Sequence, residues 1–405
     1  MRSAHDAGVN TDSGSDLAMI TVDRGTGIAT VAVTFADGRQ GHSPLTQSPF
    51  DDTSALSRFS YSPGSGLLAV TLAGHEIAFE MPVPHQDQLG DRLTVYLDQN
   101  QWSELDNALH GGAAHTGHTA ARQLAHWVRQ RRVVLPASSA HYLETTKRFD
   151  PNLRYRLGLT ILQLSHGWQM RHPLRVRRDE LRGALLRHQG HTAAAGAAEV
   201  FTLAPDTLLP SAPSPGTPQV PGQELIPLAG LTAPITMIDV MLDTERLAPA
   251  PDPGWAAASQ RDTDRLNSGN LNSPQRRKLA HGLFLTDHLQ EIAEAAHATG
   301  ITPEQLDQWI LKRSREDVGQ LPATGLFHGM LCDRHTDRGT RWKPNDLIDM
   351  VYLSCAAGYA DFVVCERPMG SILAQGLRRL DRSTQLFAKL TDAVPAIEAA
   401  LNTPK

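Results

Sequence analysis

Apolar residues change their spacing several times along this chain, and each change marks a boundary. From about Leu17 to Pro84 they fall in short β-rich runs, Ile28-Ala29-Thr30-Val31-Ala32-Val33 and Leu67-Leu68-Ala69-Val70-Thr71-Leu72 among them. Asp37-Gly38 and Ala73-Gly74-His75 separate such runs with hairpin chemistry. The pattern predicts a small β module over 17–90, preceded by a disordered N-terminus over 1–16.

Near Leu93 the pattern turns into alternating strands and helices. The run Leu93 to Leu97 reads as a buried strand and leads to a helix from Trp102. Ala121, Leu124, Ala125 and Val128 then mark a helix over Thr116 to Arg131. Val133-Val134-Leu135 follows as a second strand ending at Pro136, with Ser138 or Ser139 as N-cap of a helix containing Glu144. The last part of the chain repeats the theme: a helix from Asn345 to Ala357, a strand Asp361 to Cys365, and helices from Met369 and from Gln385. Strand, helix, strand and helix in succession predict an α/β domain with a central parallel sheet covered on both faces, a three-layer α/β/α arrangement.

The two halves of that domain, 91–169 and 340–405, enclose a mainly helical insertion over 170–339. Helical spacing of Leu157, Ile161, Leu164 and Trp168 leads into it, and helices resume over Arg276 to Thr299 and Pro303 to Lys312. A Pro-rich linker occupies 204–222, with the composition of a polyproline-like segment.

Composition narrows the function classes. The 405 residues carry a net charge of −5, so a polyanion would have to be met by local patches rather than by the whole surface. Cys332, Cys355 and Cys365 make an odd count that suits a reducing compartment better than a disulfide framework. No run approaches the roughly 20 apolar residues of a membrane span, and the N-terminal residues lack an export pattern. A cytoplasmic protein without a membrane partner is the expectation.

The candidate chemistry lies in the acids. Asp98 follows a strand, at the carboxyl edge where open α/β sheets bind ligands; the same residue also suits an Asx-turn. Asn100 is placed to orient the carboxylate from a supporting position. Glu144 falls in the opening turns of a helix leaving the same edge. Asn345 reads as an N-cap, and Asp346 and Asp349 share one face of the next helix, where convergent carboxylates would be relieved by a divalent cation. Asp346 is equally explained by the helix dipole, whereas Asp349 falls among apolar neighbours. At the last strand Glu366 arrives at the near edge, while Asp361 starts roughly 13 Å away at about 3.3 Å per residue. Glu366 is therefore preferred over Asp361.

Cations for a polyanionic substrate are sought at Lys147, Arg148, Arg154 and Arg156, and along Arg171, Arg175, Arg177, Arg178 and Arg182, with solvated helix surface as the alternative. Cys332-Asp333-Arg334-His335 holds half of a zinc spacing without a second pair, so chance is the better reading. His110, His115 and His118 either touch substrate or are exposed.

Taken together, Tyr96-Leu97-Asp98-Gln99-Asn100-Gln101-Trp102, Ala140-His141-Tyr142-Leu143-Glu144-Thr145, Asn345-Asp346-Leu347-Ile348-Asp349 and Tyr359-Ala360-Asp361-Phe362-Val363-Val364-Cys365-Glu366 resemble the PIN-like domain nucleases, the first segment especially a bacterial branch of them. The resemblance covers about 93–168 and 340–400. It implies that Asp98, Glu144 and Asp349 hold Mg²⁺ or Mn²⁺, with Asp346 beside them. Glu366 falls near a final Asp of many members, and Cys365-Glu366 departs from their usual Thr then Asp. The implied activity is metal-dependent phosphodiester hydrolysis, with RNA ahead of DNA as substrate, and the implied partners include an antitoxin or another protein. A catalytically silent PIN-like module, a DNA-directed nuclease and a phosphatase are the competing expectations.

Overall fold

The structure, a computed structural model, describes residues 17–25, 28–44, 55–62, 64–80, 88–113, 115–148, 150–191, 199–203, 207, 238, 241–242 and 254–403. The segment 1–16 and, apart from Thr207, the Pro-rich tract lie outside the described residues. The chain forms two compact units, one of residues 1–88 and 215–239, the other of 89–214 and 240–405.

The first unit is an antiparallel sheet of β1 (Leu17–Asp23), β2 (Thr30–Phe35), β3 (Gln40–Pro44), β4 (Leu56–Ser62), β5 (Leu67–Leu72) and β6 (His75–Glu80), in the order β3-β2-β1-β4-β5-β6. Alternation sends Leu68, Val70 and Leu72 of β5 to one buried face, where Ile20, Val22, Phe59 and Tyr61 are also buried. The β5–β6 turn takes positive φ at both Ala73 and Gly74, the twist that a two-residue hairpin needs. Ile28 is left outside the strands and 66% exposed, because the chain is still leaving its turn at Gly25.

The second unit is mixed α/β. It contains β7 (Leu93–Leu97), α1 (Gln99–His110), α2 (His118–Arg129), β8 (Val133–Val134), α3 (Ser139–Thr146), α4 (Pro151–Ser165), β9 (Gln169–Met170), α5 (Pro173–His188) and β10 (Phe201–Thr202). Then come α6 (Gly254–Ser268), α7 (Ser273–Asp287), α8 (Leu289–Thr299), α9 (Pro303–Lys312), α10 (Ser314–Gly319) and α11 (Pro322–Thr336). The chain closes with α12 (Asp346–Tyr359), β11 (Phe362–Val364), α13 (Arg367–Arg379), β12 (Gln385–Phe387) and α14 (Leu390–Asn402).

Its sheet has the order β12-β11-β7-β8 and is parallel throughout, with β9 and β10 forming a separate antiparallel pair. All five residues of β7 are buried, as expected of a central parallel strand. From β7 the chain goes to β8 on one side, while β11 lies on the other. The carboxyl ends of β7 and β11 therefore flank a switch point, where such sheets leave a crevice. The register sets Val364 against Leu97, so the residues after each strand emerge level.

Several elements differ from expectation. Gln385–Phe387 is a strand, because it fills the free edge of β11, and the last helix begins only at Leu390. The first helix starts at Gln99 rather than Trp102, since Asp98 caps it. Trp168 is not on α4: His166 and Gly167 take left-handed conformations and end that helix. The helix expected over Arg276 to Thr299 is two, meeting at His288.

The helical segment between the halves of the sheet shares their core. One cluster of buried residues runs from Tyr96 and Val363 through Met350 and Phe327 to Phe284 and Trp309. At Gly358 the end of α12 meets the start of α11 so closely that a Cβ would lie 2.7 Å from the Pro322 backbone. Glycine is what that approach requires.

Candidate functional site

Asp98 is held by the two elements that meet at the switch point. Its Oδ1 accepts the Gln101 N–H at 2.8 Å, capping α1, and its Oδ2 accepts the Glu366 N–H at 2.9 Å. The turn reading of Asp98 is what these bonds show, as the cap of α1. Burial pushes its carboxyl up to about 6, the two backbone N–H groups pull it back, and the nearby Glu366 raises it further.

Glu366 stands at the start of α13 and accepts the Asn100 amide. The Asn100 side chain therefore steadies Glu366, while its backbone N–H also favours the charged Asp98. Asp361 is tied to the far edge, where it accepts from the Thr94 N–H at 2.7 Å and its hydroxyl at 2.9 Å. Between the two alternatives, Glu366 is the one at the crevice.

Glu144 owes its place to a residue that the sequence reading quoted without a role. His141 accepts the Ser138 N–H on Nδ1 at 3.0 Å, and Nε2 lies 2.9 Å from the Leu97 carbonyl. Since Nδ1 is the acceptor, Nε2 carries the proton and donates to Leu97. Burial drives His141 down to about 3, so the ring stays neutral and staples α3 to the end of β7. The signal was available in the S-x-x-H spacing of a capping box, with His in place of the usual Glu or Gln. Glu144 itself pairs with Lys147 at 3.0 Å.

Asp349 projects from the first turn of α12. Tyr352, one turn on, lies 2.7 Å from the Ser139 hydroxyl and fixes α12 against α3. Among the described residues the Asp349 carboxylate has no hydrogen bond or ion pair. It is exposed to solvent at the rim of the cavity. Burial pushes it up to about 6, with repulsion from Glu144, Asp346, Asp98 and Glu366 adding to the effect. Asp346 instead accepts from Arg334 at 2.5 Å and from the Lys343 N–H at 2.8 Å. Asn345 makes no side-chain cap, because its backbone is already helical (φ −84°, ψ −14°) rather than extended as a cap requires. Its expected capping role is corrected, although it does line the cavity.

The structure thus brings Asp98, Glu144, Asp346, Asp349 and Glu366 to one cavity of about 790 Å³ at the carboxyl edge of the sheet. Cations also face it, but not the expected ones. Arg334, Arg341 and Lys343 line it, from the end of α11 and the segment before α12. In the sequence they stand among the cations that precede Asn345-Asp346, which is the local signal for them.

The expected cation track goes elsewhere. Arg148 donates to Ser103, Arg154 is buried, and Arg156 pairs with Asp106 at 2.8 Å. Arg171, just before α5, pairs with Asp179 at 2.9 Å, and on α5 Arg177 pairs with Glu291 at 3.4 Å and Arg178 with Glu294 at 3.1 Å. Arg177 also lies over the Phe327 ring. Neither Lys147, Arg148, Arg171 nor Arg175 lines the cavity. The physical reason is that α5 packs against α8 and α11, so its cations serve those contacts.

His110 and His118 bond to backbone carbonyls of α1, and His115 lies 3.9 Å from Glu104; none lines the cavity. Cys332 faces His328 while His335 bonds Thr263, so the half zinc spacing does not converge. All three cysteines are free and buried.

The donor set is all carboxylate oxygen, which suits a hard divalent cation. Yet among the described residues no three acids, histidines or cysteines stand close enough together to hold an ion directly.

Compared with family models, with curated proteins and with solved structures, the chain gives no match. Among the described residues no helix is long and apolar enough to cross a membrane.

Proposed function

We propose that this protein is a metal-dependent nuclease of PIN-like type that hydrolyses phosphodiester bonds, with single-stranded RNA as its preferred substrate and a cytoplasmic site of action. The observation that carries the reading is the convergence of five carboxylates, drawn from chain segments more than two hundred residues apart, on one cavity at the switch point of a parallel sheet.

Asp98, Asp349, Glu144 and Glu366 would hold Mg²⁺ or Mn²⁺ largely through its waters. When bound, such an ion neutralises phosphate charge and lowers the pKa of water. The protein's part is positioning. Backbone N–H groups fix both Asp98 oxygens, Asn100 fixes Glu366, and His141 with Tyr352 holds Glu144 and Asp349 on facing helices. Asp349, unpartnered and with its carboxyl raised, is the group with most to gain from a cation. Arg334, Arg341 and Lys343 would meet the phosphate.

A catalytically silent RNA- or protein-binding module is the second reading, favoured by the wide spacing of the acids. An antitoxin-like protein partner would suit either. Incubation with end-labelled RNA and DNA, with Mn²⁺ or with EDTA, separates them. Cleavage of RNA in Mn²⁺, reduced about a hundredfold in Asp349→Asn, is expected for a group that holds the cation through its waters. Intact substrates throughout would leave the silent module.

A further inference from the structure

We propose that a basic groove along α7, α11 and α13 holds the phosphate backbone of a single-stranded polynucleotide and leads it into the acid cavity. The inference rests on the nuclease reading for what happens in that cavity, but the groove is a separate feature. A hollow of about 670 Å³ is lined by Arg277, Arg334, Arg378 and Arg379. A smaller one of about 160 Å³ shares Arg277 and Arg379 and adds Arg315.

Continuity with the acids is direct, because Arg334 and Ile372 line both the larger hollow and the acid cavity. The polarity therefore changes across one guanidinium, from carboxylates suited to a cation to arginines suited to phosphates.

The charges in the groove do not cancel. Its two acids are Asp333 and Asp337. Asp333 is engaged by Arg379 at 2.9 Å and Arg277 at 3.6 Å, and Asp337 accepts from the Gly339 N–H and the Thr340 hydroxyl. Arg315 and Arg378 are exposed and have no hydrogen bond or ion pair among the described residues. At Gly329 a Cβ would lie 3.3 Å from the Arg379 guanidinium, so the bare helix surface there is the floor on which that side chain rests. Five arginines in a concave surface on a chain of net charge −5 make a local patch of the kind a polyanion needs. Guanidinium forks recognise phosphate oxygens in pairs.

The test is fluorescence anisotropy of labelled 20-nucleotide oligouridylate and oligothymidylate in EDTA, titrated from 50 to 200 mM KCl. In Arg315→Ala/Arg378→Ala the affinity should fall about tenfold, and the slope of log K against log salt should flatten by about 1.4, or about 0.7 per lost contact on a single strand. Arg122→Ala/Arg129→Ala, on the exposed side of α2 outside the groove, should bind as the wild type does. Equal binding by the groove variant with an unchanged melting temperature would overturn the proposal. So would equal competition by a polyglutamate peptide, which would mark the groove as a peptide site. Cleavage in Mn²⁺ is read separately: binding that depends on Arg315 and Arg378 without any cleavage would sink the nuclease reading and leave the groove standing.

Discussion

Two acidic centres in the same compact unit are built on opposite plans. Glu180 on α5 is buried and its oxygens are saturated: the Ala323 and Thr324 N–H groups each donate at 2.8 Å, and the Thr324 and Tyr359 hydroxyls add two more bonds. It closes the start of α11, where orphan N–H groups need an acceptor. Asp349 lies in the first turn of a helix too, yet nothing donates to its carboxylate among the described residues, and desolvation, with four like charges adding to it, raises its pKa. The first carboxylate is a structural part. The second is held in an unfavourable state that a bound cation would relieve, which is the pattern of a ligand site.

The contrast can be broken most forcefully at Glu180. Glu180→Ala should cost about 3 kcal/mol, because it leaves buried N–H and hydroxyl groups unpaired. Urea unfolding measures this, and a loss below about 1 kcal/mol would mean that Glu180 is no keystone. Mn²⁺ comes next. At about a hundred times its dissociation constant it should stabilise the wild type by about 2.7 kcal/mol, seen as a rise in melting temperature. Glu180 does not line the acid cavity, so destabilised Glu180 variants should still show that rise, while in Asp349→Asn binding at least about tenfold weaker should cut it to about 1.4 kcal/mol or less.

A smaller effect has the opposite sign. In EDTA at pH 7, Asp349→Asn should stabilise the protein by under about 1 kcal/mol, discounted because the carboxylate opens to solvent. Its folded pKa of about 6 lies above the ordinary carboxyl value of 3.8. The wild-type group therefore contributes stability fully below about pH 3.8 and loses it as pH rises through 6. The advantage of the variant should shrink as pH falls from 7 to 4. Only the difference between the two proteins reports this. The buried His141, His288 and His328, with lowered values, act in the other direction, favouring the folded state above about 6.5 and losing that as pH falls.

Local signals in the sequence were sufficient for much of this. Turn residues Asp37-Gly38 and Ala73-Gly74 announced hairpins that form as expected. The apolar run at β7 announced a buried strand, and strand direction alone separated Glu366 from Asp361. What local patterns could not show was pairing between distant segments. The edge strand β12 is a strand because β11 offers it a partner 23 residues away, from Phe362 to Gln385. The cations of α5 looked like a phosphate track because their partners, Glu291 and Glu294, lie on α8 over a hundred positions later. Asp98 lines the cavity, but it also caps α1 and accepts from the Glu366 N–H. Asp98→Ala therefore mixes a cap loss of about 1 kcal/mol with any loss of function. Asp349→Asn does not carry that cost.

The central claim is that these carboxylates hold a divalent cation, and Mn²⁺ binding followed by electron paramagnetic resonance of the free ion tests it most directly. Wild-type protein at pH 7.5 should remove Mn²⁺ from solution to a saturable stoichiometry, and Asp349→Asn and Glu366→Gln should each weaken that binding by at least about tenfold. Binding that is absent in the wild type, or unchanged in both variants, would contradict the account.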